Sequence, residues 1–330
     1  MSQSGGPLLS ELGPIIVQYI QLKQALGRHF AEVRGVLTHL DRFLAAQGQG
    51  AELSAKTFAQ WCASIGHLKS GVRRTKMRIA RNLCLYRQRS EPACFVPDPS
   101  VFPAPHQPRL PHLFTEEQIL RLLRATDDLQ PSFNSPLHRE VFRLAVVVLY
   151  TAGLRRSELV HLVLSDYDST ERTLRIRAAK FHKSRLVPLS LDAAREMENY
   201  LEARRSLPHA AEAPLLCNRK RGLRPYTGEG LCQGLRQLFR CADLKTASGE
   251  LPHVHDLRHA FAHQALLRWY RAGIDVQSKL PALATYMGHV SIVSTQHYLA
   301  LLEPFALEAS ARFARHCEPF LPLAPQGEGR

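Results

Sequence analysis

Apolar residues recur every three or four positions across 15–26, 30–46, 55–65 and 72–87, a spacing that places them on one face of a helix. The chain therefore opens on roughly four helices, enough for a small bundle. The pattern then stops. Seven of the 21 prolines fall between positions 92 and 111. Each lacks a backbone donor and pushes the preceding residue toward extended geometry, so neither helix nor central strand is expected there. The stretch reads as a semi-rigid linker between domains covering 1–91 and 112–330.

Beyond it the periodicities mix. Thr115 and Gln118 form a capping box that opens a helix over 116–125. Residues 138–151 form a strongly apolar helix, expected to lie deep in the core and to end at Gly153. Short β-like runs at 174–178 and 185–188 flank a turn holding Lys180, which predicts a hairpin. Helical spacing returns at 191–205, 228–241, 256–272, 276–287 and 292–302. The fold class is mainly α with a small β-sheet.

Charge changes this picture. The 43 Lys and Arg outnumber the 29 Asp and Glu, for a net +14. Such an excess calls for a polyanionic partner, nucleic acid or an anionic membrane surface. The predicted helix at 72–87 shows it most sharply: from 69 to 89 there are eight basic residues and no acidic one. Val72, Ile79, Leu83 and Tyr86 supply its expected core face. Lys69, Arg73, Arg74, Lys76, Arg78 and Arg81 repel one another unless phosphates neutralise them, which makes them the candidate DNA contacts.

Several classes drop out. No run of eighteen apolar residues suggests a membrane span, and the first twenty residues lack the basic region of a secretory signal. The seven cysteines are scattered and never paired as CxxC, which fits free thiols in a reducing cytoplasm better than disulfides or a cysteine zinc site. There is no GxxxxGK[ST], no GxGxxG, no HExxH and no acidic cluster for a two-metal site. No cofactor or metal is expected. Whatever acts on a phosphate here must work with cationic side chains.

The candidates are scattered along the chain. Arg155 stands in TAGLRRSEL where one helix stops and another starts, with Glu158 placed to hold it through an i, i+3 contact. A cation at a helix start opposes the macrodipole, a cost unless an anion is near. His255 and Arg258 share one face at the start of a helix in HVHDLRHAFA. His289 follows in MGHVS and Tyr298 lies nine residues later. Taken singly, each has an ordinary structural explanation: a surface arginine, a loop lysine, a core tyrosine.

Taken jointly they do not. The order Arg155, Lys180, His255, Arg258, His289, Tyr298, with separations of 25, 75, 3, 31 and 9, resembles the tyrosine recombinase (phage integrase) family. TAGLRRSEL, HDLRHAFA and MGHVSIVSTQHY resemble its three sequence boxes, and the likeness runs over about 112–302. The helices before the linker resemble the family's helical-bundle (SAM-like) core-binding domain. The bundle begins near the N-terminus, so the arm-site module of some phage integrases is expected to be absent.

The resemblance implies a site-specific DNA recombinase that needs neither metal nor ATP. Tyr298 would attack a DNA phosphodiester to give a 3′-phosphotyrosyl link, with His255 taking the phenolic proton. Arg155 and Arg258 would clamp the phosphate, Lys180 would protonate the leaving 5′-oxygen, and His289 would add a hydrogen bond. It implies a double-stranded recombination site as partner, a homo-tetramer on DNA, a cytoplasmic location and possible sister recombinases. AGIDVQSKLPALATYMGH points to a mobile-element member. The tail after Tyr298 carries Leu302, Phe305, Leu307 and Phe313 on an amphipathic pattern that would pack in the same chain or on a neighbouring protomer. Two other readings use the same residues: a type IB topoisomerase-like nicking-closing enzyme, and a DNA-binding regulator with a silent site.

Overall fold

A computed structural model describes residues 8–27, 30–48, 52–104, 110–179, 183–208, 210–218 and 223–289. The chain divides into two compact units, Met1–Arg109 and Leu110–Arg330.

The first unit holds α1 (Gly13–Ala25), α2 (Ala31–Ala45), α3 (Ala55–Ser64) and α4 (Ser70–Arg87). Ile16, Leu37, Leu40, Leu44, Trp61 and Ala80 are fully buried between them. Asp41 is equally buried, and its carboxylate accepts from the backbone N–H of Leu9 and Ser10 and from the Ser10 hydroxyl. A buried charge is tolerable only when its lone pairs are occupied in this way. Ser54 and Thr57 close a capping box at the start of α3. On α4 the core face is Met77, Ala80, Leu83 and Cys84, with Ile79 and Tyr86 at its margin, while Val72 is left 47% exposed. Of the expected stripe, Leu83 is buried and Ile79 and Tyr86 flank the core, while Val72, in the first turn of the helix, does not reach it.

The proline-rich stretch is not free chain over its first part. Phe95, Val96 and Phe102 pack on the first unit's core, and Pro99–Val101 forms a 3-10 turn. Proline removes donors but keeps acceptors. Arg81 Nε donates to Pro97 O at 3.0 Å and Arg74 Nη1 to Pro103 O at 2.6 Å, so two cations of α4 hold this segment down.

The second unit is built around α6 (His138–Thr151), which buries eight residues from Val141 to Leu149. It lies against α8 (Leu191–Ala203), α9 (Gly228–Cys241) and α10 (Asp256–Arg271). α5 (Glu116–Ala125) starts at the expected Thr115–Gln118 box, and α7 (Arg156–Val160) follows α6 closely. An antiparallel sheet runs β1–β2–β3 (Tyr167–Asp168, Thr173–Ala179, Lys183–Pro188), with Leu174 opposite Val187 and Ile176 opposite Arg185. A two-stranded piece, β4 (Cys217–Asn218) with β5 (Arg224–Pro225), precedes α9. The last described helix is α11 (Val276–Met287). The helix expected at 292–302 lies outside the described residues. No described helix is long and apolar enough to cross a membrane.

Candidate active site

Four helix ends converge here. Gly153 leaves α6 with φ +59, and a β-carbon on it would stand 2.4 Å from the Phe261 ring, so only glycine lets the turn sit this close to α10. Arg155 follows as the residue preceding α7. His255 precedes α10 and Arg258 lies in its first turn, only 1% exposed. Gly288 ends α11 with φ +66, turning the chain so that His289 N donates to Ala284 O at 2.8 Å.

The two predicted arginines tie these ends together. Arg258 Nη1 donates to Gly153 O at 2.5 Å and Nη2 to Met287 O at 2.6 Å. Arg155 Nη2 donates to Gly288 O at 2.5 Å. Carbonyls at helix C-termini have no partner within the helix and carry the negative end of the dipole, so guanidiniums are suited to them. A β-carbon at 288 would approach Arg185 Nη1 to 2.7 Å and Arg155 Nη1 to 3.3 Å.

Glu158 is the hub. Its Oε1 accepts from Arg155 Nη1 at 2.7 Å and Arg185 Nη1 at 3.0 Å. Its Oε2 accepts from the Arg155 backbone N–H and from Arg185 Nη2, both at 2.9 Å, with Arg258 Nη1 at 3.9 Å. Burial pushes this carboxyl up, but the Arg185 hydrogen bonds, the Arg155 amide and both guanidinium charges outweigh it and hold the pKa below the ordinary value. One carboxylate against three guanidiniums leaves an excess of two positive charges in a partly buried site. That surplus suits an anion, and the negative charge that grows on a phosphoryl group under attack most of all.

Both predicted histidines stand in this field. Desolvation, then the charges of Arg258 and Arg155, push His255 down to about 4 and His289 down to about 4. Arg156 adds to the effect on His255, and Glu158 opposes it. The His255 ring meets His259 edge-on at 4.7 Å. His255 still keeps an open edge, where Arg155, Arg156, Arg236 and His253 line a pocket of about 400 Å³ over Leu149 and Leu154. At neutral pH the imidazoles are uncharged, able to accept a proton.

Arg155, His255, Arg258 and His289 are thus brought to one place, with Glu158 behind them. Lys180 and Tyr298 lie outside the described residues. Lys69, Arg73, Arg74, Lys76, Arg78 and Arg81 sit on or beside α4 in the first unit, where Lys69 and Arg78 are exposed while Arg74 and Arg81 are engaged with Pro103 and Pro97. Among the described residues no cluster of three or more His, Cys, Asp or Glu side chains could hold a metal ion. The sequence reading missed Arg185. Its signal was the period of two in β3: Arg185 shares a face with buried Val187, and an arginine at an inward position demands a buried acid.

Residues 112–303 match the phage integrase family. The chain is 29% identical over 313 residues to y4rB of Sinorhizobium fredii, named as an integrase/recombinase, covering 94% of this chain and 99% of that one. It is 34% identical over 211 residues to tyrosine recombinase XerD of Rhizobium meliloti, covering 62% of this chain and 63% of that one. In fold it resembles the Tn1549 transposon integrase in complex with transposon right end DNA, with a TM-score of 0.61 at 17% identity over 90% of this chain and 98% of that one. It also resembles a lambda integrase dimer bound to a COC′ core site, with a TM-score of 0.58 at 14% identity over 87% and 76%. The chain belongs to the phage integrase family and is a tyrosine site-specific recombinase.

Proposed function

We propose that this recombinase cuts and rejoins double-stranded DNA through a 3′-phosphotyrosyl intermediate, without metal or ATP. The phenolic oxygen of Tyr298 attacks the scissile phosphorus as the bond to the 5′-oxygen breaks. His255 takes the phenolic proton, and Lys180 gives one to the departing oxygen. Arg155 and Arg258 hold the non-bridging oxygens, and His289 donates to one of them. Because the phosphodiester is exchanged rather than hydrolysed, rejoining is the same step reversed and needs no external energy source.

The observation that carries this reading is the gathering of two arginines and two neutral histidines around a site with a surplus of two positive charges. A histidine at about 4 is too weak a base while the site is empty. Desolvation is the larger cause of that depression and the guanidinium charges the next; a bound phosphate offsets the second, so the ring's basicity rises when the substrate arrives. Guanidiniums suit the equatorial oxygens because they are planar, always charged and bidentate. The DNA partner is a recombination site, and the working assembly is a homo-tetramer pairing two duplexes.

A nicked suicide duplex carrying the cognate site tests the nucleophile. The wild type is expected to become covalently attached and Tyr298→Phe to bind without attachment. Arg155→Ala and Arg258→Ala should attach on the order of a hundred-fold more slowly, the cost of losing one preorganised donor. Equal trapping of wild type and Tyr298→Phe would overturn the assignment.

A further inference from the structure

Arg185 has no part in the chemistry set out above, yet it is more buried than Arg155, its side chain 11% exposed against 21%. Each of its three nitrogens donates within the site. Two of its nitrogens grip both oxygens of Glu158, at 3.0 and 2.9 Å, and Nε donates to Tyr286 O at 2.7 Å. Tyr286 lies in the last turn of α11, two residues before Gly288, whose carbonyl holds Arg155. One side chain therefore spans β3, the start of α7 and the end of α11.

We propose that Arg185 is a positioning residue for strand cleavage: through Glu158 it fixes the aim of the Arg155 guanidinium, and through Tyr286 O it locks the β3 strand to the helix end that carries His289. The proposal rests on the reading of Arg155 and His289 as phosphate-binding groups. Arg185 supplies two of the four hydrogen bonds to the Glu158 carboxylate, the other two coming from the Arg155 amide and Nη1. Without the second fork each carboxylate oxygen keeps a single donor, which weakens the hold on the plane that aims the Arg155 guanidinium. Arg185 also helps to hold the carboxyl's pKa down, together with Arg155 at the start of α7; Arg258 and His255 are the other charged and titratable groups that face it, from the start of α10. Lysine at 185 would keep the charge and lose the fork.

The test compares full-length Arg185→Lys and Arg185→Ala with wild type on the nicked suicide duplex at saturating protein. The single-turnover rate of covalent attachment should fall by about ten- to a hundred-fold in both variants. DNA affinity should stay within about twofold, which separates aim from binding. The rate should also fail at higher pH on the acid side than in wild type, because Glu158 loses the donors that hold its pKa down. Arg143→Ala is the control for general destabilisation: it breaks a comparable bidentate pair, with Glu196, on α6 and α8 and away from the site. Wild-type attachment rates in the Arg185 variants would overturn the proposal. So would a loss matched by Arg143→Ala at equal fall in melting temperature, or an unmoved acid limb. If Tyr298→Phe is itself trapped, the nucleophile is misassigned, but the Arg185 comparison still reads the aim of whatever attacks.

Discussion

Two neutral histidines inside a cationic pocket have a consequence for stability. Desolvation and the guanidiniums of Arg258 and Arg155 hold both His255 and His289 at about 4, below the 6.5 of a free imidazole. In the unfolded chain the same rings protonate near 6.5, so between these values the unfolded state binds more protons and stability rises with pH. Their contribution is intact above about pH 6.5 and is lost as pH falls toward 4. Water reaches the open edge of His255 and screens part of its share. Denaturant midpoints should therefore drop across this window, and the double substitution His255→Gln with His289→Gln should flatten the drop. A double variant with the wild-type slope would show that the rings titrate normally in the fold. Phosphate binding should narrow this window from its lower edge, since the anion offsets the arginine charges and raises the folded-state pKa toward 6.5.

Elements differed in how plainly their sequence declared them. α5, α6, α9 and α11 were legible to the residue because each is bracketed by a cap or a glycine and carries an unbroken stripe. α7, β1, β4 and β5 are two to five residues long, too short for any period to repeat, and exist because their neighbours supply the partners. The proline stretch misled for a related reason: Phe95, Val96 and Phe102 are the apolar signal within it, and they dock although no regular element carries them. In the site, Arg155, His255, Arg258 and His289 were legible through their joint order and its resemblance to the family's boxes, whereas Arg185 stands on a strand face outside those boxes and shows its role only through its contacts with Glu158 and Tyr286. α4 shows what packing adds to a charge pattern. Lys69 and Arg78 are exposed and open to phosphates, while Arg74 and Arg81 already serve the carbonyls of Pro103 and Pro97. Removing Lys69 and Arg78 together should lower the slope of log affinity against log salt by about 2, at roughly 0.9 per phosphate released. Removing Arg74 and Arg81 should leave that slope alone and lower the melting temperature instead. An unchanged slope in the first pair would dissociate α4 from DNA.

At the scale of the whole molecule, the two compact units have separate cores. One gathers Ile16, Leu37, Leu40, Trp61 and Leu83, the other Val141, Leu144, Val148, Leu235 and Leu257, and no residue belongs to both. Hydrophobic burial is what makes unfolding cooperative, so two independent cores should melt as two transitions. The groups proposed for cleavage, from Arg155 to Tyr298, all fall on the C-terminal side of the division at Arg109 and Leu110, whereas the α4 cations fall on the other. A fragment of residues 110–330 should therefore fold by itself and melt near one of the two transitions of the full chain. On the suicide duplex it should still attach covalently at high protein concentration and low salt, with much weaker affinity and a shallower salt dependence than the intact protein. Covalent attachment by a fragment with full-length affinity would place the DNA grip within the second unit and leave α4 as a structural face. A fragment that does not fold would show that the two cores are thermodynamically one.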